Sequence, residues 1–434
     1  MKLQEDGLKR EIGIWGLSAN MINIIIGSGI FVLPSIVAGI LGPASIIAYI
    51  FCGTLAMFIM LCFAEMGSKI TKSGGDYTYV ETVFGKYPGF LIFMIGFVSR
   101  VCGTAAVANA LVDTLAVVVP VFHSYTIKII FFTIIFFGFA TINVLGVKQG
   151  IALVKFNTMA KLLPLILLII FGLNFINIDN LKWTTTPHFK QIGDASLILF
   201  FAYTGGPTGL LVGGEIKNPN RTVPRAIIAS MIFLVFFYMA IQTVSQGVFG
   251  SQLSLQTATP LANVGQVIFG SIGFTIIILG TSISMFGNIS GQTLNTPRSL
   301  FAVSRDGVLP IKAFQKIHKK YATPYISILT FSTLAFVFAI LGGFKTLAIF
   351  TVAGALLTYA SVSIAVLKFR KINVLNKKEF TIPGGAIIPF LSIITCLFFL
   401  YHLKKNAIIN ITIFIGITSF LYWSLNFFKQ KNKY

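Results

Sequence analysis

The chain has 434 residues, 56% of them hydrophobic and only 10% charged, where a soluble domain carries about 25% charged. Its mean hydropathy is +0.88. These values exclude a soluble enzyme, a disordered chain and a collagen-like chain, and leave a polytopic membrane protein with material for roughly a dozen spans of ~20 residues. The net charge of +21 would suit a nucleic-acid partner only if gathered on one soluble face, so its placement along the chain has to be read first.

A polar start, Met1 to Glu11, leads directly into the apolar run 14–40, which reads as a membrane span and not as a cleaved leader. Mid-run stand Gly27, Ser28 and Gly29, among β-branched neighbours. Either the helix unwinds there and turns free N–H groups and a helix N-terminus toward an anion, or small residues let another helix pack closely. The second run, 43–66, gives way to a polar loop at 67–86, and the third, 87–119, carries Arg100 near mid-depth. Asp113 lies ~20 Å further along the same helix, too far to pair with it. Arg100 therefore requires another partner, either a substrate carboxylate or other acceptor, or helix carbonyls freed by a break. An unpaired guanidinium at that depth costs at least ~2.5 kcal/mol.

The runs 125–146 and 152–175 follow. Lys161 lies about nine residues, or ~14 Å, into the second of these. It either snorkels to the interface or is a buried amine able to give up its proton. The sixth run, 194–215, contains Tyr203-Thr204-Gly205-Gly206-Pro207-Thr208-Gly209, which breaks a helix and is tolerated in lipid only where freed backbone lines a cavity. The remaining runs are 225–248, 265–297, 322–342, 345–367, 384–402 and 406–427. All are expected to be helical, since alternating ten-residue segments of a β-barrel are absent. The fold class is thus an all-α polytopic membrane protein of about twelve transmembrane helices.

With the amino terminus inside, the segments 1–13, 67–86, 147–155, 216–225, 298–320, 368–378 and 428–434 hold 25 Lys and Arg, and the opposite side holds six. That asymmetry is the positive-inside pattern with both termini cytoplasmic, and it removes nucleic acid as a partner. The four cysteines, Cys52, Cys62, Cys102 and Cys396, lie in apolar runs and read as packing residues. The four histidines are scattered near span ends without metal-ligand spacing. No catalytic motif, metal site or cofactor fingerprint is found, so an enzyme is disfavoured.

The two interruptions fall in helices that enter the membrane in opposite directions, an arrangement that points to a transport site near the midplane. Here the residues resemble the amino acid–polyamine–organocation family of secondary transporters over essentially the whole chain. The similarity rests on Ile26-Gly-Ser-Gly-Ile-Phe31, Ala64-Glu-Met-Gly67, Ser73-Gly-Gly-Asp-Tyr-Thr-Tyr79, Glu215-Ile-Lys-Asn-Pro-Asn-Arg221 and Arg305-Asp-Gly-Val-Leu-Pro310. The resemblance implies a five-plus-five inverted repeat, residues 14–175 and 194–367, with broken helices 1 and 6, and two additional helices in 384–427. It also implies substrate held by Gly27, Ser28 and Gly29 at its carboxylate and by backbone near Ile24, Ala202, Tyr203 and Gly205 at its amino group, with Tyr203 as a gate and Lys161 as the proton-coupling group. Some cationic-substrate members carry a Glu after the sixth-span glycine, where this chain has Gly206-Pro207-Thr208. With Arg100 as substrate contact, the site leans toward neutral or acidic cargo. The expected activity is transport of amino acids or related amines across the cytoplasmic membrane, by proton symport or by antiport against a counter-substrate. The competing class is a channel or a non-transporting membrane sensor.

Overall fold

A backbone in lipid must satisfy its own hydrogen bonds, so apolar runs of this length fold as helices. A computed structural model describes residues 10, 12–183, 186–256, 259–321, 323–372, 379–403 and 405–431. Of the segments read as cytoplasmic, residues 1–9, 11, 373–378 and 432–434 lie outside the described residues, as does Lys404 on the other side.

The protein is an all-α polytopic membrane protein. Its first span is split into α1 (Ile14–Ile25) and α2 (Gly29–Leu41). Next come α3 (Ser45–Lys69), a short α4 (Asp76–Phe84) on the following loop, and the long α5 (Lys86–Val118). After α6 (Tyr125–Leu145) and α7 (Val147–Gly172), α8 (Phe189–Phe200) opens the sixth span. The rest is α9 (Pro219–Phe249), α10 (Pro260–Asn295), α11 (Pro297–Arg305), α12 (Tyr325–Leu341), α13 (Phe344–Ile372), α14 (Ile387–Tyr401) and α15 (Lys405–Lys431). Among the described residues, seven helical stretches are long and apolar enough to cross a membrane, and four shorter apolar helices accompany them.

The structure departs from the sequence reading in two places. The loops at 67–86 and 298–320 hold the helices α4 and α11 where only polar connections were expected. The sixth span, expected to break briefly at 205–207, does not resume as an α-helix. Residues 201–203, 206–210 and 213–215 form 3₁₀ turns instead. Five glycines and a proline between positions 205 and 214 explain this, because each disfavours a regular helix.

α1 packs against α7, α9 and α10, while α5 lies along α13 and α10. One apolar core gathers around Met21, Phe63 and Tyr238, and a second around Phe93, Leu111 and Phe331. Ile134, Phe236, Leu341 and Phe420 are exposed, as suits side chains facing acyl chains. All four cysteines are buried and free.

On the basic side two ties hold elements together. Ile12 pairs in parallel with Ile216: its N–H donates to the Glu215 carbonyl at 3.0 Å, and its carbonyl accepts from the Lys217 N–H at 2.9 Å. Glu65, at the end of α3 and 1% exposed, accepts from Lys69 at 2.9 Å, from Arg370 Nε at 2.8 Å and from the Ile382 N–H at 2.9 Å. That carboxylate fastens α3 to α13 and to the chain that leads into α14.

Candidate functional site

The break in the first span is built by side chains from two other helices. The last carbonyls of α1 have no intrahelical donor, and in lipid they need one. Lys161, on α7, donates Nζ–H to the Asn23 and Ile26 carbonyls at 2.8 and 2.7 Å, and lies 3.4 Å from the Ser284 carbonyl. The Ser284 hydroxyl, on α10, donates to Ile26 at 3.1 Å and Gly27 at 3.3 Å. Asn288 on the same helix donates its amide to the Ile24 carbonyl. Lys161 is fully buried, so it does not snorkel.

On the other side of the break, Gly29 and Ile30 begin α2, where helix N–H groups are unsatisfied by the helix itself. The Ser28 hydroxyl is fully buried and has no hydrogen-bond partner among the described residues. The positive end of α2 and the negative end of α1 thus meet at one point. The sixth span closes over it. Gly205 turns the chain with φ 94°, a conformation that costs little only for glycine, and its N–H lies 3.4 Å from the Tyr359 hydroxyl. Its irregular continuation is satisfied by the loop before α4: Gly74 N–H donates to the Leu211 carbonyl at 3.2 Å and Gly214 N–H to the Ser73 hydroxyl at 3.3 Å.

Between the two breaks lies a cavity whose empty space, counted with the solvent at its mouth, is about 620 Å³. Ile24, Gly27, Ser28, Gly29, Arg100 and Gly205, all singled out from the sequence, line it. Ala202 and Tyr203 do not. The Ala202 carbonyl accepts from the Tyr238 hydroxyl at 3.1 Å, and the Tyr203 hydroxyl turns away to the Tyr49 carbonyl at 3.4 Å. Phe201 faces the cavity in their place. The first and sixth spans touch directly, since a Cβ on Gly29 would stand 2.9 Å from both Cα and Cβ of Ala202.

Arg100 has a partner that the sequence reading did not offer. Asp76, the first residue of α4, accepts from its Nη1 at 2.9 Å and stands 3.4 Å from its Nη2. Asp113 instead meets Lys128 at 3.2 Å. Asn288, Gln292, Ser99, Thr351, Thr358 and Tyr359 also line the cavity and were missed as site residues. Their signal was available: polar side chains buried in the apolar helices α5, α10 and α13.

A second cavity, about 820 Å³, opens toward the basic side between Gly16, Asn20, Glu215, Asn295 and Arg298. What separates it from the first is thin. Asn20 and Asn295 exchange amide hydrogen bonds at 3.4 and 3.3 Å, about one turn from Ile24 and Gln292, and Arg298 pairs with Glu215 at 3.1 Å.

A cavity with polar groups set in an apolar lining, at two interrupted helices, is the arrangement of a small-molecule site within a membrane. Known proteins agree. The chain is 28% identical over 417 residues to the serine/threonine exchanger SteT of Bacillus subtilis, with 91% of each chain covered. It is 26% identical over 439 residues to the branched-chain amino acid permease BcaP of the same organism, covering 96% of this chain and 93% of the relative. To the large neutral amino acids transporter small subunit 2 of Homo sapiens it is 30% identical over 347 residues, 74% of this chain and 62% of that one. The amino acid permease family pattern matches residues 12–428, nearly the whole sequence, and the chain belongs to that family.

Proposed function

We propose that the chain is a secondary active transporter of amino acids or related amines in the cytoplasmic membrane, with both termini inside. It works by alternating access, as a proton-coupled symporter or as an antiporter. Residues 14–175 and 194–367 act as two inverted halves around the central cavity, and 384–427 adds two peripheral helices. The names of the relatives, one an exchanger of serine and threonine and another a branched-chain amino acid permease, support amino acid cargo.

The observation that carries the reading is the central cavity itself, with a helix N-terminus and an unpartnered buried hydroxyl at Ser28 beside carbonyls of the opposite polarity. A zwitterion fits that polarity. The N–H groups of Ser28 and Gly29 and the Ser28 hydroxyl take the carboxylate, while Gly27, whose N–H bonds the Ile25 carbonyl at 2.8 Å, shapes the turn beside it. The ammonium goes to carbonyls near Ile24 and Gly205, since a carbonyl that already accepts one hydrogen bond retains a second lone pair. Arg100 forms part of the wall, and Ala202 and Tyr203 support the sixth-span break from behind. Lys161 bridges the first-span break to α10, so its protonation state bears on the geometry of the carboxylate site. Release toward the basic side requires parting Asn20 from Asn295 and Arg298 from Glu215.

Counterflow in proteoliposomes tests the function. Unlabelled amino acid inside should accelerate entry of the labelled one, as a carrier with one alternating site requires. A pore gives no acceleration and a sensor gives no flux, and either result across the twenty amino acids and common polyamines would refute the proposal.

A further inference from the structure

Among the described residues lining the central cavity, Arg100 alone carries a charge, and its guanidinium is already engaged. Asp76 holds Nη1 at 2.9 Å and Nη2 at 3.4 Å. The Arg100 side chain is 10% exposed and the Asp76 side chain 2%. Asp76 is not part of the lining, so its carboxylate stands behind the guanidinium as seen from the cavity. The arrangement is built in. Gly75, at φ 57°, turns the loop so that α4 begins against α5. Gly96 forms the floor, since a Cβ there would stand 2.9 Å from Asp76 Oδ2 and 3.2 Å from Arg100 Nη2.

Asp76 takes an N–H from each Nη of Arg100, while the buried Nε–H has no acceptor among the described residues, so what the pair lacks for a second carboxylate is positive charge and not a donor. With Asp76 in that place, an arriving side-chain carboxylate would put two anions on one cation, and the buried Asp76 has no water to retreat into. Lys161 does not restore the balance, because its ammonium lies behind the first-span break on the Asn23 and Ile26 carbonyls and does not line the cavity. A basic side chain fares no better, meeting Arg100 and no carboxylate in the lining.

We infer that Asp76 sets the charge class of the substrate. By neutralising the Arg100 guanidinium it restricts transport to amino acids with uncharged side chains and excludes dicarboxylic ones. This deepens the transporter reading and rests on it. Asp76 touches no substrate; it is a positioning residue that acts through Arg100.

The test uses full-length protein in proteoliposomes, with a labelled neutral amino acid found by counterflow and with aspartate and glutamate as competitors. The native protein should exchange the neutral substrate and ignore a large excess of either acid. Absence of any amino acid exchange refutes the transporter reading. Exchange that both acids inhibit as well as a neutral competitor overturns the role of Asp76 alone. In Asp76→Asn, shown folded by its elution profile and melting, glutamate should gain about tenfold or more as a competitor. The gain should vanish in the double variant Asp76→Asn/Arg100→Gln. A folded Asp76→Asn without the gain, or a gain that survives loss of Arg100, overturns the proposal. Should Asp76→Asn fail to fold, Asp76→Ser, which keeps a hydroxyl acceptor for the guanidinium, is judged by the same criteria.

Discussion

The two broken spans approach each other closely at Gly29, and adding one carbon there probes whether transport depends on it. In Gly29→Ala the new Cβ would stand 2.9 Å from Cα and Cβ of Ala202, whereas carbon atoms rest at about 3.5–4.0 Å. The spans must therefore separate by roughly 0.6–1.1 Å, because neither partner atom belongs to a side chain that can rotate away. Overpacking of this kind costs about 1–3 kcal/mol, equivalent to about 5- to 150-fold in an equilibrium. The cost falls on the state in which the spans close over the cavity, so uptake should drop by about an order of magnitude, with only a modest fall in melting temperature. Gly29→Val, with two further methyl groups, should abolish binding of substrate while the protein still expresses and folds. Gly39→Ala is the matched control on the same helix, since its Cβ meets only Ser254 Cβ at an ordinary 3.6 Å. Initial-rate uptake in proteoliposomes and substrate-induced thermal shifts in detergent read both variants. Uptake by Gly29→Ala within about twofold of Gly39→Ala, well below the smallest expected effect, would refute the reasoning.

Lys161→Ala removes the side-chain donor from the Asn23 carbonyl and leaves Ile26 with the Ser284 hydroxyl alone, at about 1–3 kcal/mol for a group left unsatisfied. It should flatten the pH dependence of uptake or arrest the protein in one conformation; a pH profile and accumulation identical to native would remove Lys161 from coupling. Glu65→Gln breaks a buried ion pair with Arg370 and Lys69 and should cost about 3–5 kcal/mol, seen as a lowered melting temperature. The apolar triple variant Glu65→Met/Lys69→Met/Arg370→Met, which leaves none of these buried charges unpaired, should be less destabilised than Glu65→Gln, and the reverse order would contradict the account of that tie. The competition experiment on Asp76 belongs to the same set.

The spans were legible because lipid leaves a chain few options, and both breaks were visible as glycines in apolar runs. The depth of Lys161 was legible too, but not its bonds to the Asn23 and Ile26 carbonyls, since nothing in the sequence aims α7 at the end of α1. The partner of Arg100 escaped for a related reason. Asp76 lies in a segment whose polarity reads as an exposed loop, and only its glycine turn brings the first residue of α4 under α5. Tyr203 shows a different limit. Once a helix dissolves into 3₁₀ turns, the period that assigns a side chain to a face is lost, and a shift of a residue or two exchanges Tyr203 for Phe201 at the cavity wall. The buried hydroxyls and amides of α5, α10 and α13 carried a readable signal, diluted by the many Ser and Thr in this chain that only bond back to their own helix, as Thr104 and Thr293 do.

The pairing of Ile12 with residues 215–217 couples the chain entering the first span to the chain leaving the sixth. Any displacement of one drags the other, so the two interrupted spans share a single mechanical handle on the basic side of the membrane. A staple across that handle should be harmless, whereas a staple across the Asn20–Asn295 contact should jam the cycle. The four native cysteines are sealed in the interior, so thiols introduced at 12 and 216, or at 20 and 295, can be joined against a quiet background. A folded domain fused ahead of the first span would load both breaks at once.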